Sequence, residues 1–78
     1  MMSKVQVYLY ADLRQFAGGA GAVEFDVEPG LTIATLLDRL GIPRERTKVV
    51  FVNSRPAEPD RALNGGERVD LFSAIGGG

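Results

Sequence analysis

Cysteine and histidine are both missing from this chain of 78 residues. Without cysteine there is no disulfide, no thiolate metal site and no thiol nucleophile. Without histidine the chain lacks the side chain that most readily exchanges protons near neutral pH and most often binds metals. Neither a Ser-His-Asp nor a Cys-His site can be built from it. We therefore expect a protein that is not an enzyme in its own right, and no metal site.

Excess charge and long hydrophobic runs are missing as well. The formal net charge is −1, which provides no basic surface for nucleic acid or for an anionic membrane. No apolar run approaches the roughly 20 residues of a membrane span, and the start, Met1–Lys4, has no signal-peptide core. We expect no nucleic-acid or membrane partner and a cytoplasmic location.

Two alternating segments near the start predict a β-hairpin. Lys4–Tyr10 places apolar residues on one face of a half-buried strand, with Tyr8 and Tyr10 on the other. Ala22–Glu28 alternates in the same way, with its acidic residues facing outward. A short helical turn is expected over residues 12–16, and the glycines that follow it break the regular structure before the second strand.

An amphipathic helix is predicted next. Thr32 is a good N-cap residue, and apolar residues recur with helical spacing from Ile33 to Leu40. Gly41 stands where a helix closes in the left-handed conformation, and Pro43 prevents its continuation. An apolar stripe of this kind indicates packing on a sheet.

Three further strands complete the predicted sheet. Thr47–Val52 is β-branched and apolar on both faces, which suits a more central strand. Arg55–Glu58 can form only a short edge strand, because Pro56 cannot donate a hydrogen bond to a neighbour. Arg68–Ser73 is the last strand, and its alternation places Phe72 on the outward side.

The element order is strand, strand, helix, strand, strand, strand. It predicts an α+β protein with a β-grasp (ubiquitin-like) fold, in which a mixed sheet of four to five strands curls around one helix. The first and last strands are expected side by side and parallel at the sheet centre. We assign residues 1–75 to this domain and residues 76–78 to a C-terminal glycine tail.

The tail itself, Gly76, Gly77 and Gly78, is the most unusual segment of the sequence. Glycine has no Cβ, so three glycines form a thin segment that can reach roughly 10 Å beyond the last strand. Such a tail can enter a narrow channel and present a terminal carboxylate to another protein's active site. The alternative interpretation is a loose chain end, which is common in proteins.

Three motifs occur in a fixed order along the chain. Val7–Arg14 is an apolar strand followed by aromatic-Ala-x-x-Arg. Val52-Asn53 and then Leu63–Val69 are similar to a V-N … L-x-D-G-D-x-V pattern. Phe72 is followed six positions later by Gly78, as in an F-P-P-x-x-G-G ending. Over nearly its whole length the sequence therefore resembles the MoaD/ThiS family of small ubiquitin-like sulfur carriers.

The sequence departs from that pattern in three places. Ser73-Ala74 replaces the frequent Pro-Pro, Gly66 stands where an aspartate is common, and Gly76 precedes the usual glycine pair. The terminal Gly-Gly is retained, so the resemblance still implies the chemistry that the family shares.

For this chain the resemblance implies a carrier that binds no cofactor of its own. An E1-like adenylyltransferase (MoeB/ThiF-like), using ATP and Mg²⁺, would adenylate Gly78, and a sulfurtransferase would convert it to a thiocarboxylate. Gly76 and Gly77 would keep the tail slender inside the partners' channels. An acceptor synthase subunit (MoaE-like or ThiG-like) would then take up the sulfur.

A docking surface is expected near the tail. Tyr8, Tyr10 and Phe72 all face outward on neighbouring strands, which predicts one exposed apolar patch of the kind that binds partners. The resemblance places the family's partner face at Tyr10, Pro56 and Phe72, with Arg14 close to it. Arg14 is equally well interpreted as a solvated surface charge.

Four functions remain open at this point. The first is a MoaD-type sulfur carrier for molybdopterin or tungstopterin synthesis, which the chain length and the Tyr10-Ala11-x-x-Arg14 opening favour. The second is a ThiS-type carrier for the thiazole of thiamin. The third is a ubiquitin-like modifier whose Gly78 forms isopeptide bonds with lysines. The fourth is a β-grasp interaction module with an inert tail.

Overall fold

A computed structural model describes residues 3–73 of the chain, which form five strands and three helical segments. The strands are β1 (Ser3–Leu9), β2 (Ala22–Val27), β3 (Thr47–Val52), β4 (Arg55–Ala57) and β5 (Arg68–Ser73). The α-helix α1 spans Ile33–Leu40, and two 3-10 helices span Ala11–Ala17 and Arg44–Arg46.

The strands form one mixed sheet in the order β2-β1-β5-β3-β4. β1 and β5 pair in parallel, whereas β1–β2, β3–β4 and β3–β5 pair antiparallel. The predicted element order, the parallel pairing of the first and last strands and the edge position of β4 are therefore confirmed. β5, the last strand before the glycine tail in the sequence, is the middle strand of the sheet.

The core lies between the inner face of the sheet and α1. Alternation in β1 and β5 and helical spacing in α1 direct their apolar side chains into one cluster. Fully burying a side chain of this size contributes about 1.5–3 kcal/mol. The residues of these three elements with at most 3 % of their surface exposed are Val5, Val7, Leu9, Ile33, Leu36, Leu37, Val69 and Leu71.

Both ends of α1 are capped as the sequence predicts. The Thr32 hydroxyl accepts a hydrogen bond from the Thr35 amide at 3.2 Å. Gly41 adopts the left-handed conformation with φ 77°, and the Ile42 amide donates to the Leu37 carbonyl at 2.9 Å. These bonds satisfy backbone groups that a helix end otherwise leaves unpaired.

The helical segments outside α1 differ from the prediction. The turn expected over residues 12–16 is a 3-10 helix over Ala11–Ala17, with Leu13 buried against the core. The 3-10 helix at Arg44–Arg46 was not predicted. Its three residues are all charged, so they show no apolar periodicity. Pro43, which follows the C-cap of α1 by two residues, is the N-cap of this segment.

The loop before β5 packs tightly against β1. Glu67, 7 % exposed, accepts hydrogen bonds from the amides of Asn64 at 2.9 Å and Gly65 at 2.6 Å. Gly65 has φ 112°, and a Cβ there would clash with the Cβ of Ser3. Glycine is required at this position for two reasons: the left-handed backbone and the close approach of β1.

Candidate functional site: the sheet surface and the root of the tail

The three tail glycines lie outside the described residues. The roles of Gly76, Gly77 and Gly78 therefore remain predictions from the sequence. The described chain ends at Ser73, the last residue of β5. The geometry of the candidate site consists of the sheet surface on which a partner would bind and of the contacts that hold Ser73.

Aromatic side chains form a continuous row across the outer face of the sheet. The rings of Tyr10 and Phe72 stack, with centroids 4.7 Å apart and planes 4° apart. Phe51 meets Phe72 edge to face at 5.6 Å, and Pro56 lies opposite Phe51 in the β3–β4 register. We call Tyr10, Phe72, Phe51 and Pro56 the aromatic strip.

The register of three strands creates this strip. Leu71 and Val50 are paired and buried on the inner face, so their neighbours Phe72 and Phe51 face outward. Phe72 and Phe51 are only half-buried. Three predicted partner residues, Tyr10, Pro56 and Phe72, thus share one surface. Phe51 was not predicted, because β3 is apolar on both faces and only its pairing with β5 shows which face is outward.

Of the predicted patch of Tyr8, Tyr10 and Phe72, the rings of Tyr10 and Phe72 are in contact, whereas Tyr8 contacts an arginine, so the patch is not wholly apolar. The Tyr8 ring lies under the guanidinium of Arg68, 4.1 Å from the ring centroid. Arg68 also pairs with Asp70 through its Nη2, at 3.1 Å from Oδ1. The Tyr10 hydroxyl donates to the same Oδ1 at 2.8 Å.

Asp70 is the buried centre of this polar group and is only 6 % exposed. Its carboxylate is compensated by Arg68 and Tyr10, as a buried charge must be. The hydrogen bond to Asp70, and then the one to Tyr10, raises the pKa of Arg68 above its ordinary value. A partner covering this face would therefore meet aromatic rings beside a charge pair that is already neutralised.

A second polar group lies at the root of the tail, and we call it the tail-root cluster: Asp12, Ser73 and Arg46. The Ser73 hydroxyl donates to Oδ1 of Asp12. Nη2 of Arg46 donates to Oδ2 of Asp12 at 2.5 Å. The Ser73 hydroxyl, and secondarily the Arg46 guanidinium, lowers the pKa of Asp12 below its ordinary value.

Sequence reasoning could not find this cluster. Asp12 is 34 positions from Arg46 and 61 from Ser73, and no spacing rule connects them. Only the parallel pairing of β1 with β5 brings the first 3-10 helix beside the end of β5.

Arg14 lies apart from the ring contacts of the aromatic strip. Its side chain is exposed on the first 3-10 helix, and its Cδ lies 3.9 Å from where a Cβ on Gly21 would be. Its role in partner binding remains a prediction.

Two depressions on the described surface are small. One, between α1 and the β3–β4 edge, has a volume of about 180 Å³ and the other about 270 Å³, below the roughly 300–1,000 Å³ of typical ligand sites. Across residues 3–73 there is no group of three or more histidine, cysteine or acidic side chains placed to hold a metal. Within the same residues, no helix has the length and hydrophobicity needed to cross a bilayer.

Comparison with known proteins gives one family and a consistent set of folds. A model of the ThiS family matches residues 7–78. A putative molybdopterin converting factor, subunit 1, from Pyrococcus furiosus superposes with a TM-score of 0.73 and 23 % identity, covering 94 % of this chain and 99 % of that one. Small archaeal modifier protein 1 from H. volcanii gives 0.72 and 25 %, covering 90 % and 95 %.

A ubiquitin from Caldiarchaeum subterraneum superposes at TM-score 0.64 and 16 % identity, and both chains are covered completely. These matches confirm the α+β, ubiquitin-like β-grasp fold. Curated protein sequences gave no match.

Proposed function

The chain belongs to the ThiS family, a family of ubiquitin-like sulfur carriers and modifiers, and on that premise we propose that it carries sulfur as a thiocarboxylate on Gly78. The observation that carries this proposal is the family match itself, which includes the glycine tail and ends at Gly78. The fold is consistent with it, because the last strand before the tail in the sequence, β5, is the middle strand of the sheet.

The chemistry begins with a carboxylate. A C-terminal carboxyl has a pKa of about 3.3–3.7 and is an anion at neutral pH, so it is a poor electrophile. An E1-like adenylyltransferase would transfer AMP from ATP to it and release pyrophosphate. Sulfur supplied as a persulfide would displace AMP, and a thiol would cleave the resulting sulfur–sulfur bond. The product would be the Gly78 thiocarboxylate.

The aromatic strip is the surface that we assign to partner binding. Interfaces depend on a few aromatic and arginine side chains near their centre, and the strip provides Tyr10, Phe72 and Phe51 in mutual contact. The same face would bind the E1-like enzyme (MoeB/ThiF-like) and the acceptor synthase subunit (MoaE-like or ThiG-like) in turn. Arg14 is included only because the family resemblance predicts it near this face.

The pathway we propose first is molybdopterin or tungstopterin synthesis. The Tyr10-Ala11-x-x-Arg14 opening and the superposition on a putative molybdopterin converting factor subunit favour it. A ThiS-type role in forming the thiazole of thiamin is the alternative within the same chemistry.

A protein modifier is the second candidate function. The similarity to small archaeal modifier protein 1 favours it, and its Gly78 would form an isopeptide bond with lysine side chains. Both functions begin with the same adenylate and differ only in the nucleophile that displaces AMP.

Intact-mass measurement separates these functions. The purified chain is incubated with its cognate E1-like enzyme, ATP, Mg²⁺ and a persulfide donor. An oxygen-to-sulfur mass increase on the last residue supports the carrier, and conjugates of higher mass support the modifier. A variant lacking Gly77 and Gly78 is the control and should remain unmodified. An unchanged mass for the full chain would refute both functions.

A further inference from the structure

The tail-root cluster holds Ser73, the last residue of β5 and three positions before Gly76 in the sequence. Ser73 is 9 % exposed and is tied through Asp12 to two other parts of the chain, the first 3-10 helix and Arg46 beside β3. Hydrogen bonds to an ionised carboxylate are roughly twice as strong as neutral ones. The end of β5 is therefore held by side chains as well as by the sheet.

The backbone pairing is irregular at this point. Ser73 pairs with Thr47, and the register between β3 and β5 shifts between Thr47 and Val49. A shift of this kind disrupts the local ladder of hydrogen bonds and bends the strand. The contact of Ser73 with Asp12 supplies a constraint where the sheet supplies less.

The residue type at position 73 indicates what the contact with Asp12 does. In the F-P-P-x-x-G-G pattern that the sequence resembles, a proline follows the phenylalanine, and proline fixes its own φ near −65°. Serine has no such restriction. We propose that Asp12, held by Arg46, clamps the Ser73 hydroxyl and so holds the end of β5 in one conformation, as a proline at this position would. This inference rests on the function proposed above, because it concerns the delivery of Gly78 to the activating enzyme.

Asp12 and Ser73 are then positioning residues, which act on the reaction through the tail. Fixing the backbone of one residue costs about 1–2 kcal/mol. If the backbone at Ser73 is not already ordered in the free chain, it must become ordered during formation of the adenylate. For Ser73→Ala we expect kcat for adenylation to fall about fivefold or more.

The test measures pyrophosphate release by the cognate E1-like enzyme for the wild type, Ser73→Ala, Asp12→Asn and Ser73→Thr. Ser73→Thr keeps a hydroxyl and should retain most of the wild-type kcat. Asp60→Asn, a change to an exposed acid remote in sequence from the cluster, is the matched control and should behave as the wild type. Thermal unfolding by circular dichroism identifies any variant that fails to fold.

The affinity of each variant for the enzyme is also measured without ATP. A residue that acts only in folding or docking would change this affinity. The aromatic strip is untouched, so affinity should change less than about twofold while kcat falls. Amide hydrogen exchange at residues 70–73 should accelerate in Ser73→Ala and in Asp12→Asn but not in Ser73→Thr. The exchange measurement tests the clamp without any enzyme.

The outcomes separate this inference from the proposed function. If the wild type forms no adenylate, the proposed function fails and the inference fails with it. If the wild type is adenylated while Ser73→Ala and Asp12→Asn keep its kcat and its exchange rates, only the clamp is refuted.

Discussion

Replacing Phe72 by alanine tests the aromatic strip most directly. Phe72 contacts Tyr10 on one side and Phe51 on the other, and each aromatic pair contributes about 0.5–1.5 kcal/mol beyond area burial. The loss of both contacts should lower the free energy of unfolding by about 1–3 kcal/mol. Since a small domain has roughly 5–15 kcal/mol in total, the variant should remain folded at 25 °C.

The effect on partner binding should exceed the effect on folding. A central aromatic residue of an interface typically contributes at least about 2 kcal/mol to binding, which corresponds to roughly a thirtyfold loss of affinity. Isothermal titration calorimetry with the E1-like enzyme measures the affinity, and urea unfolding measures the stability.

Phe25→Ala is the matched control for this experiment. Phe25 is a half-buried aromatic of β2 that packs against the core on the inner face. Its replacement should cost a similar amount of stability and leave the aromatic strip intact. Equal affinities for the two variants and the wild type would show that the strip does not bind the enzyme.

The remaining predictions concern the loop before β5 and the two polar groups. Gly65→Ala should destabilise the fold by more than about 1 kcal/mol, because the new Cβ would clash with Ser3 and the backbone φ is positive. Gly66→Ala, with positive φ but open space around it, should cost less in the same urea unfolding experiment. Since the pKa of Asp12 is lowered in the folded state, its stabilising contribution should be fully present above its ordinary value of 3.8 and lost as the pH falls through the folded value. Asp12→Asn should therefore flatten the acid limb of a stability-versus-pH curve, and an unchanged limb would contradict the cluster geometry. Asp70→Asn should cost about 1–3 kcal/mol of unfolding free energy, because a buried carboxylate paired with arginine is replaced by an uncharged amide; a cost near zero would show that the pair does not form in solution.

The sequence was sufficient to predict those helices and strands that are specified by residues within or next to the element itself. Thr32 and Gly41 mark the two ends of α1 by their own chemistry. The β-branched, apolar composition of Thr47–Val52 and the alternation within Arg68–Ser73 predict both strands without reference to the rest of the chain. Bounds were less accurate where a strand runs into a turn. β1 ends at Leu9, one residue before its predicted end, because Tyr10 is already the N-cap of the first 3-10 helix.

The parts of the site that depend on tertiary contacts could not be predicted from local sequence patterns. Alternation predicts that Asp70 faces outward, and it does, but its burial results from Tyr10 and Arg68 covering it. Asp12 carried no distinguishing signal at all, because its partners lie 34 and 61 positions away. Resemblance to the family predicted a partner face and the tail, and the structure shows how the predicted face is connected to the end of β5.

That connection runs through two consecutive residues at the end of β5. Successive side chains of a strand point to opposite faces, so Phe72 joins the aromatic strip on the outer face while Ser73 joins the tail-root cluster on the inner side. A partner that grips the ring of Phe72 therefore acts on the same stretch of backbone that Asp12 holds through Ser73. Under the proposed function, partner docking depends on Phe72 and the fixed position of the strand end depends on Ser73, which lies five positions before Gly78. Damage to either side chain should then lower adenylation, but through different quantities: affinity for Phe72 and kcat for Ser73.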